Sequence, residues 1–302
     1  MTDELPPVCL EWLAELDRSG KSVNTITAYR RGLSHFLRWY SSIYGDDFIA
    51  EQVMARDVGD WRAQQQRVEN AAPATVNQRL VALKRFFKWS LAQRIISDNP
   101  AEAVDTLRIN GREVRSLSNT ELRRLLRAAR RHRRDFAMLE VLVGTGVRVS
   151  ELLDLRVGDI AVNSRSGKLT VRYGKGGGYR EVPLTADVRK ALLPYLEEDH
   201  HDPLNPDAPL WLGTRGGLRH RSSVTRMIDK YALRAGLEAA TPHMLRHTFA
   251  TRYLAANPDD LRGLARLLGH ASLDTVMIYT EPGLDDLIRR MERVESQPAD
   301  RY

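Results

Sequence analysis

The sequence predicts a mainly α-helical chain with one small β-hairpin, α+β in class and divided into two domains. Three observations predict it. Apolar residues recur at helical spacing through the first hundred positions and again over much of the remainder. One short stretch, from Leu169 to Leu184, alternates in steps of two around a glycine-rich turn. Between the two regions Asp98-Asn99-Pro100 stops the helical pattern. A length of 302 residues suits two domains, and 42% hydrophobic residues excludes a wholly disordered chain.

In chain order, Leu10, Leu13 and Leu16 with Trp12 form a first apolar stripe that ends at Ser19-Gly20. Thr25 to Tyr44 forms a second helix, with Ile26, Tyr29, Leu33, Phe36, Leu37 and Tyr40 in period and Gly45 closing it. Pro73 opens a third, with Val76, Leu80, Leu83, Phe86 and Phe87 in period. A bundle of about four helices fits residues 1–98, and a linker is expected over 99–117. Ser118 and Glu121 then make a capping box ahead of Leu122, Leu125 and Leu126, which starts a second domain over 118–302. Within it, Leu169, Val171 and Tyr173 alternate, Gly174-Lys175-Gly176-Gly177-Gly178 makes the turn, and Tyr179 to Leu184 alternates again. Helices resume over Ser222 to Ala235, His243 to Ala255 and Leu261 to Leu268.

Charge narrows the function classes. The net charge of +7 lies wholly in residues 109–302, because the first 108 carry 14 basic and 14 acidic side chains. Even so, Asn70 to Ser97 contains Arg79, Lys84, Arg85, Lys88 and Arg94 and no acid. Such a stretch suits a polyanion, whose counterions are released when phosphates are neutralised; the ordinary alternative is a solvated helix face. The one cysteine, Cys9, excludes a disulfide framework and a zinc module built on cysteine pairs. The acidic start, lacking an apolar stretch, and the absence of an 18-residue apolar run predict an intracellular protein with no membrane partner.

Three segments carry residues fit for chemistry. In Thr241-Pro242-His243-Met244-Leu245-Arg246, Pro242 suits the first turn of a helix, so His243 and Arg246 stand three apart near its N-terminus. An arginine fork and a helix dipole there can hold phosphate oxygens. His243 and His247 are four apart, but the glutamate of a His-Glu-x-x-His zinc site is missing. In Gly144-Thr145-Gly146-Val147-Arg148, an arginine follows a glycine turn; Ser150 is expected to cap the next helix and Glu151 to reach Arg148. The alternative there is a surface Arg–Glu pair of little consequence. Gly269-His270 is followed nine residues later by Tyr279, whose phenol would need neighbouring cations to act as a nucleophile.

Together these pieces resemble the tyrosine recombinase (phage-type integrase) family, and within it the Xer-like two-domain members. Arg148 follows Thr-Gly-Val, Lys175 sits in the hairpin turn, His243 and Arg246 form His-x-x-Arg, His270 ends Leu-Leu-Gly-His, and Tyr279 lies in Ile-Tyr-Thr. The sequence departs from the common pattern in Thr275-Val276-Met277 and in Glu281-Pro282 after the tyrosine. The resemblance implies a helical core-binding (SAM-like) DNA-binding domain followed by a catalytic tyrosine recombinase domain, clamping a duplex from opposite sides. It implies site-specific cleavage and rejoining of double-stranded DNA through a covalent 3′-phosphotyrosine, with no cofactor, metal or ATP.

By that resemblance Tyr279 is the nucleophile, with Arg148, Lys175, His243, Arg246 and His270 around the phosphate and Glu151 supporting the cluster. Arg30, Arg31, Arg79, Lys84, Arg85 and Lys88 are candidate DNA contacts in the first domain. The apolar stripe Leu284, Leu287, Ile288, Met291 and Val294 is expected either to pack on its own domain or to dock on a neighbouring subunit. The resemblance implies the second: a tetramer on DNA, alone or beside a second recombinase, in the cytoplasm at the nucleoid. The alternatives are a type IB topoisomerase-like enzyme and a DNA-binding regulator derived from an integrase that no longer cuts.

Overall fold

The computed structural model describes residues 5–45, 48–108, 115–172, 179–199, 202, 204–214 and 216–269. It divides into two compact units, 1–112 and 113–302. Among the described residues no helix is long and apolar enough to cross a membrane.

The first unit is a bundle of four helices: α1 (Pro7–Arg18), α2 (Val23–Tyr44), α3 (Ala55–Arg67) and α4 (Pro73–Ala92). Ser22 caps α2 by accepting from the Thr25 amide. Prolines occupy the first turns of α1 and α4, where a missing N–H is harmless. The core is aromatic: Trp12, Phe36, Trp61, Phe86 and Phe87 are buried, with Phe36 edge-on to Trp61 at 5.3 Å between ring centres. Burial of each such ring stabilises the bundle by roughly 1.5–3 kcal/mol. Leu10, expected in the first stripe, is 38% exposed, and Cys9 takes the inward place instead.

Helix α3 has no strong apolar period. Val58 and Trp61 face inward together with Asp57 and Gln65, and the rest is polar apart from Ala55, Gly59 and Ala63. The stretch beyond Asp98 is more than a connector, since Ala101 and Val104 are buried in this core and Asn77 brackets the backbone of Leu107 with both ends of its amide.

The second unit is built around α6 (Arg133–Thr145). Its buried residues Met138, Leu139, Val141 and Leu142 share a core with residues of α5 (Asn119–Ala129), α7 (Val149–Asp154), α8 (Ala186–Pro194), α9 (Arg221–Arg234) and α10 (Pro242–Ala256). The Ser118–Glu121 capping box of α5 forms as expected, the Glu121 amide donating to Ser118 Oγ at 3.2 Å and the Ser118 amide to Glu121 Oε2 at 2.9 Å. A smaller cluster of Ala250, Leu264, Ala265 and Leu268 joins α10 to α11 (Leu261–Leu268).

The expected hairpin is part of a three-stranded antiparallel sheet, β1 (Ile160–Val162), β2 (Gly167–Val171) and β3 (Arg180–Pro183). Ile160 pairs with Leu169, Leu169 with Val182, and Val171 with Arg180. Leu169, Val171 and Val182 point into the core, with Arg180 on the same inward register. A two-residue ribbon, β4 (Leu212–Gly213) and β5 (Gly216–Gly217), precedes α9.

Candidate active site

Helix α6 ends in a left-handed turn at Gly146, φ 65°. Only glycine suits this place, because a Cβ would stand 2.4 Å from Phe249 Cδ1 and 2.9 Å from Leu268 Cδ2. The turn reverses the chain into α7, whose N-cap residue is Arg148 itself rather than the expected Ser150, which lies within the helix. Glu151, at the third helical position, reaches back to accept from the Arg148 amide at 2.8 Å. The other carboxylate oxygen accepts from Arg148 Nη1, also at 2.8 Å. One carboxylate therefore closes the helix start and orients the arginine side chain. This is no surface pair, since the Glu151 side chain is 2% exposed.

Arg246 arrives from α10. Thr241 caps this helix by accepting from the Met244 amide at 3.1 Å, and Pro242 occupies its first turn. His243 is exposed, whereas Arg246, three residues beyond it, is buried. The Arg246 guanidinium donates to the Gly146 carbonyl at 2.6 Å and to the Leu268 carbonyl at 2.8 Å. Arg148 Nη1 approaches that same Leu268 oxygen at 3.4 Å. The two arginines, 98 positions apart in sequence, thus meet over one carbonyl. It lies at the C-terminal end of α11, where unpaired carbonyls and the helix dipole favour cations.

A third arginine, which the sequence reading did not single out, completes the cluster. Arg180 donates from Nη1 and Nη2 to the two Glu151 oxygens at 3.1 and 2.7 Å, and from Nε to the Leu267 carbonyl at 2.8 Å. Its signal was present in the strand pattern: a charged residue on the register that Val182 and Leu184 share as apolar positions. Burial pushes the Glu151 carboxyl up, but hydrogen bonds from Arg180 and the Arg148 amide, with the Arg180 charge, outweigh it and hold the carboxyl below the usual range. Among the described residues, three guanidinium groups gather around this one carboxylate. Arg148, whose side chain is 28% exposed, is the member open to solvent.

Next to Arg246 in sequence, His247 is half-buried on α10, and burial together with the charge of His243 lowers its pKa. Lys175, His270 and Tyr279 lie outside the described residues; Arg172 and Arg180, on either side of Lys175 in sequence, and Gly269, before His270, lie within them. In the first unit, Arg30, Arg31, Arg85 and Lys88 are exposed and make no ion pair among the described residues. Arg79 instead turns inward, its Nη1 at 2.9 Å from Gln65 Oε1 and from His35 Nε2, and 3.3 Å from Glu69. Lys84 donates to the Glu102 carbonyl at 3.2 Å.

Comparison with known proteins agrees with this construction. Residues 115–283 match the model of the phage integrase family, and residues 10–94 match the phage integrase N-terminal SAM-like domain. A tyrosine recombinase XerD of Ralstonia nicotianae is 34% identical over 277 residues, covering 89% of this chain and 86% of the relative. A tyrosine recombinase XerC of Pelobacter propionicus is 35% identical over 272 residues, 88% of this chain and 87% of the relative. The crystal structure of XerA recombinase covers 98% of this chain and 99% of its own at 28% identity, with a TM-score of 0.55. That of a XerH recombinase bound to palindromic difH substrate shares the fold, with a TM-score of 0.73 over 94% of this chain and 84% of its own, at 22% identity. The chain belongs to the phage integrase family and is a site-specific tyrosine recombinase with the two-domain organisation of its Xer-like members.

Proposed function

We propose that this recombinase cleaves and rejoins double-stranded DNA at the arginine cluster of its second unit, with Tyr279 as nucleophile. The Tyr279 oxygen bonds to the scissile phosphorus as the bond from phosphorus to the 5′-oxygen breaks, leaving a 3′-phosphotyrosine and a 5′-hydroxyl. Arg148 and Arg246 meet the charge that grows on the non-bridging oxygens, where fixed guanidinium donors act without reorganising. Lys175 delivers the proton that the departing 5′-oxygen needs. His243 assists proton transfer at the phenol, and His270 donates a hydrogen bond to the phosphate. Glu151 supports Arg148. The phosphotyrosine conserves the phosphodiester's energy, so attack by a 5′-hydroxyl reseals the strand without ATP.

The observation that carries this reading is the approach of Arg148 and Arg246 to the single Leu268 carbonyl, beside buried Glu151 and one residue before Gly269-His270. A nicked duplex bearing the site that the protein protects from nuclease tests it, because loss of the short cleaved fragment traps the covalent product. Wild-type protein is expected to form the adduct, Tyr279→Phe none, and Arg148→Ala at least ~10²-fold more slowly. An adduct with Tyr279→Phe would assign the attack to another group.

On this reading Arg30, Arg31, Arg85 and Lys88 contact the duplex from the first unit, and the inward bonds of Arg79 and the backbone bond of Lys84 make those two the weaker contacts. The enzyme acts as a tetramer on DNA, with the stripe Leu284, Leu287, Ile288, Met291 and Val294 docking on a neighbour, and it works in the cytoplasm at the nucleoid. Chain termination after Gly283 should leave DNA binding largely intact and abolish cooperative assembly in gel-shift titrations; unchanged assembly would reject the docking role.

A further inference from the structure

Arg180 opens β3, five residues after Lys175, and has no part in the reaction as read above. It is only 7% exposed. A guanidinium so buried is costly unless its donors are met by charge and carbonyl oxygen. Here all three nitrogens make such a bond: two grip Glu151 and the third meets the Leu267 carbonyl. Glu151 in turn accepts two bonds on each oxygen, one from Arg148 and one from Arg180. Gly269 borders the group closely, since a Cβ there would lie 2.7 Å from Arg180 Nη1. The guanidinium occupies the space that a side chain at 269 would need. One buried side chain thereby joins the strand that follows Lys175, the carboxylate that holds Arg148, and the helix end that precedes His270.

We infer that Arg180 is a positioning residue for strand cleavage, holding both Glu151 oxygens alongside Arg148 so that the Arg148 guanidinium keeps its remaining donors for the phosphate. The inference rests on the assignment of Arg148 as a phosphate ligand. A carboxylate facing Arg148 alone can rotate and draw those donors to itself. A second, forked cation holds both oxygens in place and shares their charge. Lysine cannot replace it fully, because one ammonium cannot span both Glu151 oxygens and the Leu267 carbonyl in the same plane.

The test is single-turnover cleavage of the nicked target duplex by full-length Arg180→Gln, Arg180→Lys, Arg148→Ala and the Arg148→Ala/Arg180→Gln pair. A second duplex carries a neutral methylphosphonate at the scissile position. Arg180→Gln is expected to slow cleavage roughly 10–100-fold with DNA affinity within about twofold of wild type, the scale of groups that orient a reacting residue. Arg180→Lys should recover part of that loss. The pair should be no slower than Arg148→Ala alone, because both act through one guanidinium. On the neutral phosphate the deficits of Arg148→Ala and Arg180→Gln should shrink together.

Multiplying deficits in the pair, or an Arg180→Gln deficit that is the same on both duplexes, would overturn the inference and leave the reaction scheme standing. Arg148→Ala cleaving at the wild-type rate would remove the scheme and the inference with it. Should Arg180→Gln fail to fold by thermal melting, Arg180→Lys against Arg148→Ala on the two duplexes decides in the same way.

Discussion

Glu140, half-buried on α6, faces Asp187 of α8 across a pocket that Arg252 also lines. Burial first, then the Asp187 charge, raise its pKa to about 7, and Arg252 only partly offsets them. A carboxyl held above its unfolded pKa favours the native state when protonated. That stability is complete below about pH 4.5 and is lost as pH rises through about 7. Glu140→Gln should therefore melt later than wild type at pH 8, by an amount on the order of 1–3 kcal/mol, and the gap should close towards pH 5. Thermal melts across that range check it. Gly146 makes the opposite case: alanine there combines a left-handed φ with overlap on Phe249. Gly146→Ala should lose ~1–3 kcal/mol in denaturant melts and slow cleavage, because the Gly146 carbonyl is an acceptor for Arg246.

At the scale of elements, α10 is the support on which the site depends. It carries His243 and Arg246, and its Thr248 hydroxyl accepts from the buried Leu117 amide at 2.8 Å while donating to the Met244 carbonyl at 2.7 Å. The segment entering α5 is thereby fixed to the helix that bears the catalytic candidates. Thr248→Val should leave the Leu117 amide buried without its acceptor, costing about 1–3 kcal/mol, and hydrogen exchange at Leu117 should accelerate. At the other end of the cluster, the C-terminus of α11 presents two consecutive carbonyls to three arginines. The helix end and Glu151 together supply the negative charge that lets three mutually repelling guanidiniums share so small a space.

For the whole molecule, two separate cores carry different charge: the first 108 residues are balanced, and the excess of +7 lies beyond them. With the proposed contacts at exposed Arg30, Arg31, Arg85 and Lys88, affinity for duplex DNA should fall linearly in log–log plots against salt. Arg85→Ala should flatten that slope by about 1 and weaken all sequences alike, whereas Arg79→Ala should instead lower the melting temperature, since Arg79 ties α4 to Gln65 and Glu69 of the preceding segment. Fluorescence anisotropy over a salt series distinguishes the two.

The long amphipathic helices were legible in order and nearly in extent, because α2 and α4 keep an apolar stripe in period over about three to four turns and Pro73 marks the start of α4, whereas α2 starts at Val23, two residues before the expected Thr25. Helix α3 and strand β1 were not, the one because only Val58 and Trp61 mark its apolar face, the other because three residues carry no period. Local motifs in the sequence named Arg148, Glu151 and Arg246, which the structure brings together, and His243, which it leaves exposed on α10. Tertiary structure alone decided which acceptor joins Arg148 to Arg246, that Glu151 is buried, and that Arg180 belongs with them. The physical reason is range: periodicity and capping act over a few residues, whereas the pairing of Glu151 with Arg180 and of Gly146 with Arg246 spans 29 and 100 positions and exists only once the core has closed.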